Sequence, residues 1–181
     1  MSKKVAILIA PRGTEEPEFT KPKEALEDAG MDVTVVGLST DEAETFNNDL
    51  DPASRIAVDK GIEVVSASEY DAVVVPGGTV GADKLRASKE AVAFVRAFFD
   101  AGKPVAAICH APWVLIETGQ LKGRTLTSYP TVQSDIRNAG ATWVDQEVVR
   151  DKGLITSRDP DDLPAFCEAL IAELQVGVTL A

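Results

Sequence analysis

The sequence predicts an open, doubly wound α/β fold, in which a mostly parallel sheet carries helices on both faces. Apolar runs of strand length alternate along the chain with segments whose apolar residues recur at helical spacing. Several of the predicted strands are unbroken apolar runs rich in Val, Ile and Ala, which is typical of strands buried on both faces of a parallel sheet. The length of 181 residues favours a single domain, which we expect to cover residues 1–181.

The first half of the chain supplies three predicted strands and one helix. The apolar run Val5–Ala10 predicts a buried strand. Apolar residues at helical spacing over Phe19–Ala29 predict a helix that ends before Gly30. Two further β-rich runs, Asp32–Leu38 and Ala72–Pro76, predict the second and third strands.

This first helix has a proline inside its pattern, which leaves two starts open. If Glu18 is already helical, Pro22 cannot donate a hydrogen bond to the Glu18 carbonyl, and a kink is expected there. The alternative is a helix that begins at Pro22, where a missing N–H is tolerated.

The second half continues the alternation. The spacing over Ala91–Phe99 predicts a helix that ends before Gly102, and Pro104–Ile108 predicts a fourth strand. Pro112–Thr118 is predicted to be helical directly after that strand. Three elements complete the pattern: a short strand at Thr125–Ser128, a short helix around Ile136 and Ala139, and a closing helix over Leu163–Leu174 with Asp161 and Asp162 in its first turn.

Two weaker stretches are predicted to be hairpin insertions. They are Ile56–Val65, around the Lys-Gly pair at 60–61, and Glu147–Ser157, around the Lys-Gly pair at 152–153. In a sheet of this kind, functional sites lie outside the carboxyl ends of the strands. The residues that follow each strand are therefore the candidates for function.

Composition excludes several classes of protein. Eighteen Lys and Arg against 29 Asp and Glu give a net charge of −11, which argues against a nucleic-acid partner. An apolar content of 45 % excludes a disordered chain, and two cysteines exclude a disulfide scaffold. The sequence contains no signal-peptide pattern and no apolar run long enough to span a membrane, so we expect no membrane partner and a cytoplasmic protein with reduced thiols.

The segment after the fourth strand suggests a cysteine nucleophile. Cys109 lies between a strand and a helix with Ala107 and Ala111 at minus two and plus two, as in a nucleophile elbow. A thiol at a helix N-terminus is expected to be ionised near neutral pH. His110 is the sole imidazole, and it supplies either a general base or only its backbone N–H. The alternative for Cys109 is a buried cysteine that packs as a small hydrophobe.

Two other strand ends could complete such a site. Gly77 and Gly78 follow the third strand, and their N–H groups could form an oxyanion hole, although a plain tight turn is the alternative. The first strand is followed by Glu15, Glu16 and Glu18, which form either a solvated turn or an acid that faces the thiol. Cys167 falls on the apolar face of the closing helix, so we expect it in the core. The chain has neither metal-ligand spacing nor a nucleotide-binding glycine motif, so we expect no metal and no cofactor.

These motifs carry a resemblance to a known family. With AICHAP at 107–112, VVPGG at 74–78 and the acids at 15–18, the chain resembles the PfpI-type intracellular cysteine peptidases. That family belongs to the superfamily of class I glutamine amidotransferase-like folds, which also contains the Parkinsonism-associated deglycase. The resemblance runs from the first strand to the last helix, and it implies the doubly wound fold and a cysteine-dependent hydrolase.

The resemblance also implies roles for individual residues. Cys109 would be the nucleophile, followed by His110. Glu18 would be the acid that bonds to the cysteine, with Glu15 as the rival assignment. The N–H groups of His110 and of the glycine at 78 would form the oxyanion hole.

A further acid is implied to come from a neighbouring subunit. The matching position is Asp83, on a predicted loop after the two glycines, where the family usually has Glu. An imidazole adjacent in sequence to Cys109 is expected to swing away from the thiol and to need an acid from outside the chain. We therefore expect a homodimer or higher homo-oligomer in which Asp83 of one chain orients His110 of the other.

Two functions remain open at this point. The first is a hydrolase that acts on small carbonyl adducts or peptides in a stress-response role, with Cys109 as its nucleophile. The second is a redox-responsive stress protein or chaperone without turnover, in which oxidation of Cys109 is the signal and Glu18 hydrogen-bonds the product. The same site serves both, so the sequence does not separate them.

Overall fold

The computed structural model describes residues 2–176, and its elements follow the predicted alternation. The strands are β1 (Lys4–Ile9), β2 (Arg12–Glu15), β3 (Asp32–Gly37), β4 (Ala43–Asn47), β5 (Asp51–Ile56), β6 (Lys60–Gly61), β7 (Ala72–Val75), β8 (Val105–Ile108), β9 (Thr125–Leu126), β10 (Thr142–Trp143), β11 (Val149–Asp151) and β12 (Leu154–Ser157). The helices are α1 (Glu16–Asp28), α2 (Thr79–Ala87), α3 (Lys89–Asp100), α4 (Pro112–Glu117), α5 (Gln133–Asn138) and α6 (Leu163–Val176).

The predicted central sheet is confirmed. Seven strands pair in the order β11-β12-β8-β7-β1-β3-β6, and every pairing is parallel except that of β11 with β12. The strand predicted at Thr125–Ser128 is shorter than expected, since β9 ends at Leu126, and it pairs with β10 outside the central sheet. The mostly parallel sheet brings the carboxyl ends of β1, β7 and β8 to one edge.

The core lies on both faces of the sheet, as the unbroken apolar runs predict. Along β1, Val5, Ile7 and Ile9 pack into one hydrophobic cluster, while Ala6 and Leu8 pack into the other. This alternation follows from the period of two along a strand. The first cluster is covered by apolar residues of α1 and α6, and the second by those of α3, α4 and α5.

Helix α1 resolves the alternative at Pro22. The helix runs from Glu16 to Asp28 with Pro22 inside it, so the alternative start at Pro22 is wrong. A proline at position 17 occupies the first turn, where its missing N–H is tolerated. The early start places Glu18 in the first turn of α1, fully buried against the sheet edge.

One predicted hairpin is confirmed and the other is wrong. Strands β11 and β12 form the antiparallel hairpin expected within Glu147–Ser157. Within Ile56–Val65, however, β6 pairs parallel with the end of β3 and leads into a 3₁₀ turn. The Lys-Gly pair at 60–61 thus extends the sheet edge, while the hairpin of this region is formed upstream by β4 and β5.

Two further differences concern turns and helix starts. Residues 79–87 form α2, although the segment after Gly78 is predicted to be a loop. Gly81 allows this helix to pack closely, since a side chain there would lie 2.7 Å from the Gly13 carbonyl oxygen. Asp161 and Asp162 lie in a 3₁₀ turn before α6 and not in its first turn.

None of the helices within residues 2–176 is long and apolar enough to cross a membrane.

Candidate active site

A pocket of about 370 Å³ opens at the carboxyl edge of the central sheet. Its size suits one small ligand. It is lined by Glu15, Glu18, Asn48, Asp49, Gly78, Thr79, Cys109, His110, Tyr129, Asp159 and Pro160.

Cys109 lies at the sharp turn between β8 and α4. Its φ of 64° is in the left-handed region, which non-glycine residues rarely adopt. This turn directs the side chain into the pocket, where the residue is 7 % exposed. The backbone N–H groups of Gly78 and His110 both donate toward the sulfur. Two preorganised donors are therefore aimed at the place where negative charge would form.

His110 turns toward the thiol, contrary to the prediction that it swings away. Its Nδ1 lies 3.2 Å from Cys109 Sγ. The imidazole stacks on the ring of Tyr129 with centroids 4.7 Å apart, which fixes its orientation within the chain. Burial lowers the pKa of His110, although the charge of Asp49 opposes this shift. The imidazole is therefore neutral at neutral pH and can accept a proton.

Glu18, rather than Glu15, is the acid beside the cysteine. Its Oε2 accepts a hydrogen bond of 2.9 Å from the Gly77 N–H, and its Oε1 is fully buried without a hydrogen-bond partner among residues 2–176. Desolvation by burial, and secondly the negative charge of Glu15, raise the pKa of Glu18 to about 8. Glu18 is consequently a neutral carboxylic acid at neutral pH.

The expected ionised thiol is wrong for the resting site. Burial raises the pKa of Cys109, and the charge of Glu18 adds to this rise wherever Glu18 is ionised, although the N–H groups of Gly78 and His110 oppose it. The helix after the cysteine is six residues long and does not offset the desolvation of a nearly buried sulfur. Cys109 therefore begins as a thiol next to a neutral imidazole.

The two glycine N–H groups that are predicted to form the oxyanion hole have different partners in the structure. The Gly77 N–H is occupied by Glu18, so including Gly77 in the oxyanion hole is wrong. The Gly78 N–H remains directed at the sulfur. Gly77 is needed for close packing, since a side chain there would collide with Cys109 Cβ at 2.7 Å and with the Glu18 carboxyl group.

Glu15 holds the β4–β5 hairpin against the pocket. Its two carboxylate oxygens accept hydrogen bonds of 2.8 Å and 3.1 Å from the N–H groups of Asn48 and Asp49 at the hairpin tip. Asp49 in turn accepts from the N–H and the hydroxyl of Thr79, at 2.6 Å and 2.7 Å. The chain of contacts from Glu15 to Thr79 fixes the segment that follows Gly78.

The pocket lining includes four residues that the sequence pattern does not single out: Asp49, Thr79, Tyr129 and Asp159. The signal for Asp49 was an Asn-Asn-Asp run at 47–49, because Asn and Asp tolerate positive φ at hairpin turns. Asn48 and Asp49 have φ values of 53° and 64°. Tyr129 and Asp159 each follow a short strand by only a few residues.

Asp83 is not part of the pocket within this chain. It lies on α2 and not on a loop, its side chain is 67 % exposed, and its nearest charged partner is Arg86 at 3.6 Å. Arg86 stacks over Trp113, whose ring lies 5.0 Å from that of His110. Asp83 therefore faces the solvent on the same side of the molecule as the imidazole.

Cys167 has a different environment. It lies on α6 in a shallow, mostly apolar groove against α1 and is half-buried, so its expected place in the core is only partly correct. Burial alone raises the pKa of Cys167 to about 11.

Comparison with known proteins identifies relatives over almost the whole chain. The DJ-1/PfpI family model matches residues 3–173. Protein/nucleic acid deglycase 2 of Escherichia coli is 44 % identical over 167 residues, which cover 92 % of this chain and 94 % of that protein. YraA of Bacillus subtilis, named as a candidate cysteine protease, is 42 % identical over 166 residues, which cover 92 % and 95 % of the two chains.

Solved structures share the same fold. The chain superposes on DJ-1beta of Drosophila melanogaster with a TM-score of 0.84 at 34 % identity, covering 100 % of both chains. A two-domain protein of Anabaena variabilis with DJ-1/ThiJ/PfpI-like and ferritin-like domains gives a TM-score of 0.90 at 39 % identity. This chain is covered to 99 % and spans half the length of that two-domain protein.

Proposed function

The chain belongs to the DJ-1/PfpI family, and from that premise we propose that it is a cysteine-dependent hydrolase acting on small carbonyl adducts. The observation that carries the proposal is the contact of 3.2 Å between Cys109 Sγ and the neutral His110 Nδ1. A neutral base beside a thiol allows the proton to leave as the sulfur attacks, so no resting thiolate is required.

In the proposed mechanism, the Cys109 proton passes to His110 Nδ1, which requires the Nε2–H tautomer. The sulfur forms a bond to the carbonyl carbon, and the carbonyl electron pair moves onto its oxygen. The N–H groups of Gly78 and His110 stabilise that oxyanion. In a dicarbonyl adduct no group leaves: His110 returns its proton to the oxyanion, takes the C–H proton of the same carbon as an enediol forms, and delivers it to the neighbouring carbon, which leaves a thioester. Water then hydrolyses the thioester to the hydroxy acid and the free thiol.

Glu18 has a separate proposed role as a neutral acid. Because Gly77 donates to Oε2, the carboxyl proton resides on Oε1, which is the buried oxygen without a partner in residues 2–176. From there it can hydrogen-bond the sulfur or donate its proton to the ketone oxygen of a dicarbonyl adduct as the enediol forms, and take a proton back from the other oxygen when the thioester forms. A charged carboxylate at this place would repel the developing thiolate.

The pocket volume supports a small substrate. A cavity of about 370 Å³ accommodates a hemithioacetal or aminocarbinol of methylglyoxal more readily than a folded protein segment. The deglycase name of the Escherichia coli relative is in accord with this choice. Peptide hydrolysis is the alternative, favoured by the protease name of YraA. A role in carbonyl stress follows from the proposed substrate.

We also propose that the active protein is a homo-oligomer with a shared site. Asp83 is exposed, and three of the large exposed apolar residues belong to or adjoin the pocket lining in sequence: Tyr129 lines the pocket, while Leu50 and Val80 each directly follow a lining residue. A second copy that covered this apolar rim could bring its Asp83 toward His110. Light scattering combined with the activity of Asp83→Ala tests this. A fully active monomer would overturn the shared site, and an oligomer insensitive to Asp83→Ala would remove its catalytic purpose.

The hydrolase proposal is tested by the release of lactate from methylglyoxal. In that conversion the aldehyde carbon is oxidised, the ketone carbon is reduced and one water is added, so no external oxidant is needed. We expect release by the native protein and by Cys167→Ser, and none by Cys109→Ser. Equal release by Cys109→Ser and the native protein would refute the proposal.

The second candidate is a redox-responsive stress protein. Its specific support is the neutral Glu18 carboxyl group, which could hydrogen-bond a sulfinate formed on Cys109. This function requires Cys109 to be oxidised by mild peroxide while turnover of carbonyl adducts and peptides is absent. Turnover that depends on Cys109 would decide against it as the sole function.

A further inference from the structure

The charges around the pocket have one sign. Four of its eleven lining residues are acids, and none of the eleven is Lys or Arg. Glu18 is neutral because of its raised pKa, which leaves Glu15, Asp49 and Asp159 as carboxylates. The only basic side chain in the lining, His110, is itself neutral at neutral pH. A small, partly enclosed volume with several carboxylates has a negative electrostatic potential, which attracts cationic ligands and repels anionic ones.

The arginines next to the pocket do not offset this potential, because each already has acidic partners. Arg158, adjacent to Asp159, is held by Asp162 at 2.8 Å and 2.9 Å and by Asp145 at 2.9 Å. Arg86 on α2 pairs with Asp83 at 3.6 Å. These guanidinium groups are neutralised outside the cavity.

A second observation indicates which kind of group the pocket accepts. Glu18 Oε1 lies in the pocket wall, completely buried, and makes no hydrogen bond within residues 2–176. Beyond it, the carboxylates of Asp49 and Asp159 have lone pairs left over after their bonds to Thr79 and to the Asp161 N–H. The protonated Oε1 of Glu18 would donate to an uncharged acceptor such as the adduct's carbonyl or hydroxyl oxygen. N–H donors on a ligand would satisfy Asp49 and Asp159, whereas these two carboxylates would repel a ligand carboxylate or phosphate.

We infer that the pocket selects carbonyl adducts whose carrier group is cationic or neutral and rejects those whose carrier is anionic, and that Asp49 and Asp159 set this preference. The substrate part of the inference rests on the proposed hydrolase function. The preference for cationic over anionic groups is a property of the pocket alone. It can be measured from the modification rate of Cys109, without turnover. Each of the two carboxylates is expected to change the rate ratio between cationic and anionic reagents by on the order of tenfold.

The first experiment measures thiol modification in a Cys167→Ser background, where Cys109 is the single cysteine. Three methanethiosulfonates serve as probes: the neutral methyl reagent, the trimethylammonioethyl cation and the sulfonatoethyl anion. In each case the Cys109 sulfur attacks the sulfenyl sulfur, a disulfide forms, and methanesulfinate leaves with the electron pair while the thiol proton goes to the buffer. Each rate constant is divided by the rate constant of the same reagent with free 2-mercaptoethanol. This removes the differences in intrinsic reactivity among the three reagents.

Variants that each remove one negative charge test whether Asp49 and Asp159 set the charge preference of the pocket. Asp49→Asn keeps an acceptor for the Thr79 N–H, and Asp159→Asn keeps the cap on the 3₁₀ turn that precedes α6. Asp161→Asn is the matched control, since Asp161 is exposed, two residues from Asp159 and outside the pocket lining. Working at about 0.15 M salt screens the general negative charge of the chain beyond roughly 8 Å.

The second experiment measures kcat/KM for methylglyoxal hemithioacetals of thiocholine, 2-mercaptoethanol and 3-mercaptopropionate, which carry a cation, no charge and an anion. We expect the cationic and neutral carriers to exceed the anionic one at least tenfold, and the same order in the thiosulfonate rates. We expect Asp49→Asn and Asp159→Asn each to reduce the preference, and Asp161→Asn to leave it unchanged.

Three results would count against parts of this account. Equal normalised rates for the cationic and anionic thiosulfonates overturn the inference, even if hemithioacetals are turned over. A preference that persists in Asp49→Asn and Asp159→Asn, or that falls equally in Asp161→Asn, overturns the assignment to these residues. A charge preference in thiol modification without turnover of any carrier overturns the proposed hydrolase and leaves the charge selection of the pocket standing.

Discussion

The two cysteines of this chain show how little exposure alone says about reactivity. Cys109 is nearly buried, yet it faces a base, two backbone N–H donors and a neutral carboxylic acid. Cys167 is more accessible, but its pKa is raised to about 11 and burial is the only cause. Both resting thiols are protonated, so what distinguishes them is the set of groups that can take the proton and hold the negative charge.

Cys109 can be reactive without being ionised at rest. A lowered thiol pKa is one route to a reactive cysteine, and desolvation works against it here. The alternative is a thiol that ionises only as it reacts, because His110 accepts the proton and the N–H groups of Gly78 and His110 meet the charge. The carboxyl group of Glu18 stays neutral and so does not oppose the ionisation of Cys109.

Replacement of each cysteine gives the largest expected contrast. Cys109→Ser removes the proposed nucleophile, and we expect turnover of methylglyoxal to fall by at least about 10³-fold. Cys167→Ser lies away from the pocket and should leave kcat/KM within roughly twofold. Steady-state lactate release measures both. Comparable losses in the two variants would show that reactivity is not confined to Cys109.

The acid beside Cys109 should dominate the pH dependence of stability in this region. Glu18 has a pKa raised from 4.5 to about 8, so the folded state holds its proton more tightly than the unfolded state. The resulting stabilisation is complete below pH 4.5 and is lost progressively as the pH rises to about 8. Glu18→Gln is neutral throughout and should remove this loss, which amounts to roughly 3–5 kcal/mol.

Urea unfolding at pH 5 and pH 8.5 measures the Glu18 effect. We expect the native protein to lose free energy of unfolding relative to Glu18→Gln between these values, and Cys167→Ser to follow the native protein. Parallel curves for the native protein and Glu18→Gln would mean that the Glu18 carboxyl group is ionised in the folded state at neutral pH.

Mild peroxide should separate the two thiols by at least about tenfold in rate. Ionisation at rest would not favour Cys109, since its pKa is also raised. Proton transfer to His110 during attack is therefore the expected cause, and His110→Gln should reduce the selectivity. Peptide mass mapping during a peroxide titration provides the measurement. Equal modification of both cysteines in the folded protein would contradict the assigned role of the pocket.

The smallest expected effect concerns the stability contribution of Cys167. Its side chain is half-buried in an apolar groove and makes no hydrogen bond within the described part of the chain, so Cys167→Ala should cost under about 1 kcal/mol. Thermal or urea unfolding gives this value. A loss of several kcal/mol would show that the groove between α1 and α6 is packed more tightly than its exposure suggests.

The sequence alone determined the central sheet and the location of the thiol. Unbroken apolar runs predict β1, β7 and β8, because a strand covered on both faces needs apolar residues at every position, and a run of β-forming residues predicts β3. The same local pattern predicts Cys109 between a strand and a helix. These features depend on residues that are close together in the chain, which is why periodicity is sufficient to find them.

Tertiary structure alone decided the partners of the thiol and the wall of the pocket. Glu18 and Glu15 are three residues apart, yet one reaches Gly77 beside the cysteine and the other holds the turn at Asn48. The contribution of Asp49 depends on the β4–β5 hairpin, which the sequence pattern did not predict. Each of these contacts joins segments about thirty or more positions apart. Such pairings are set by the order and twist of the strands that carry the loops, and local periodicity contains no information about them.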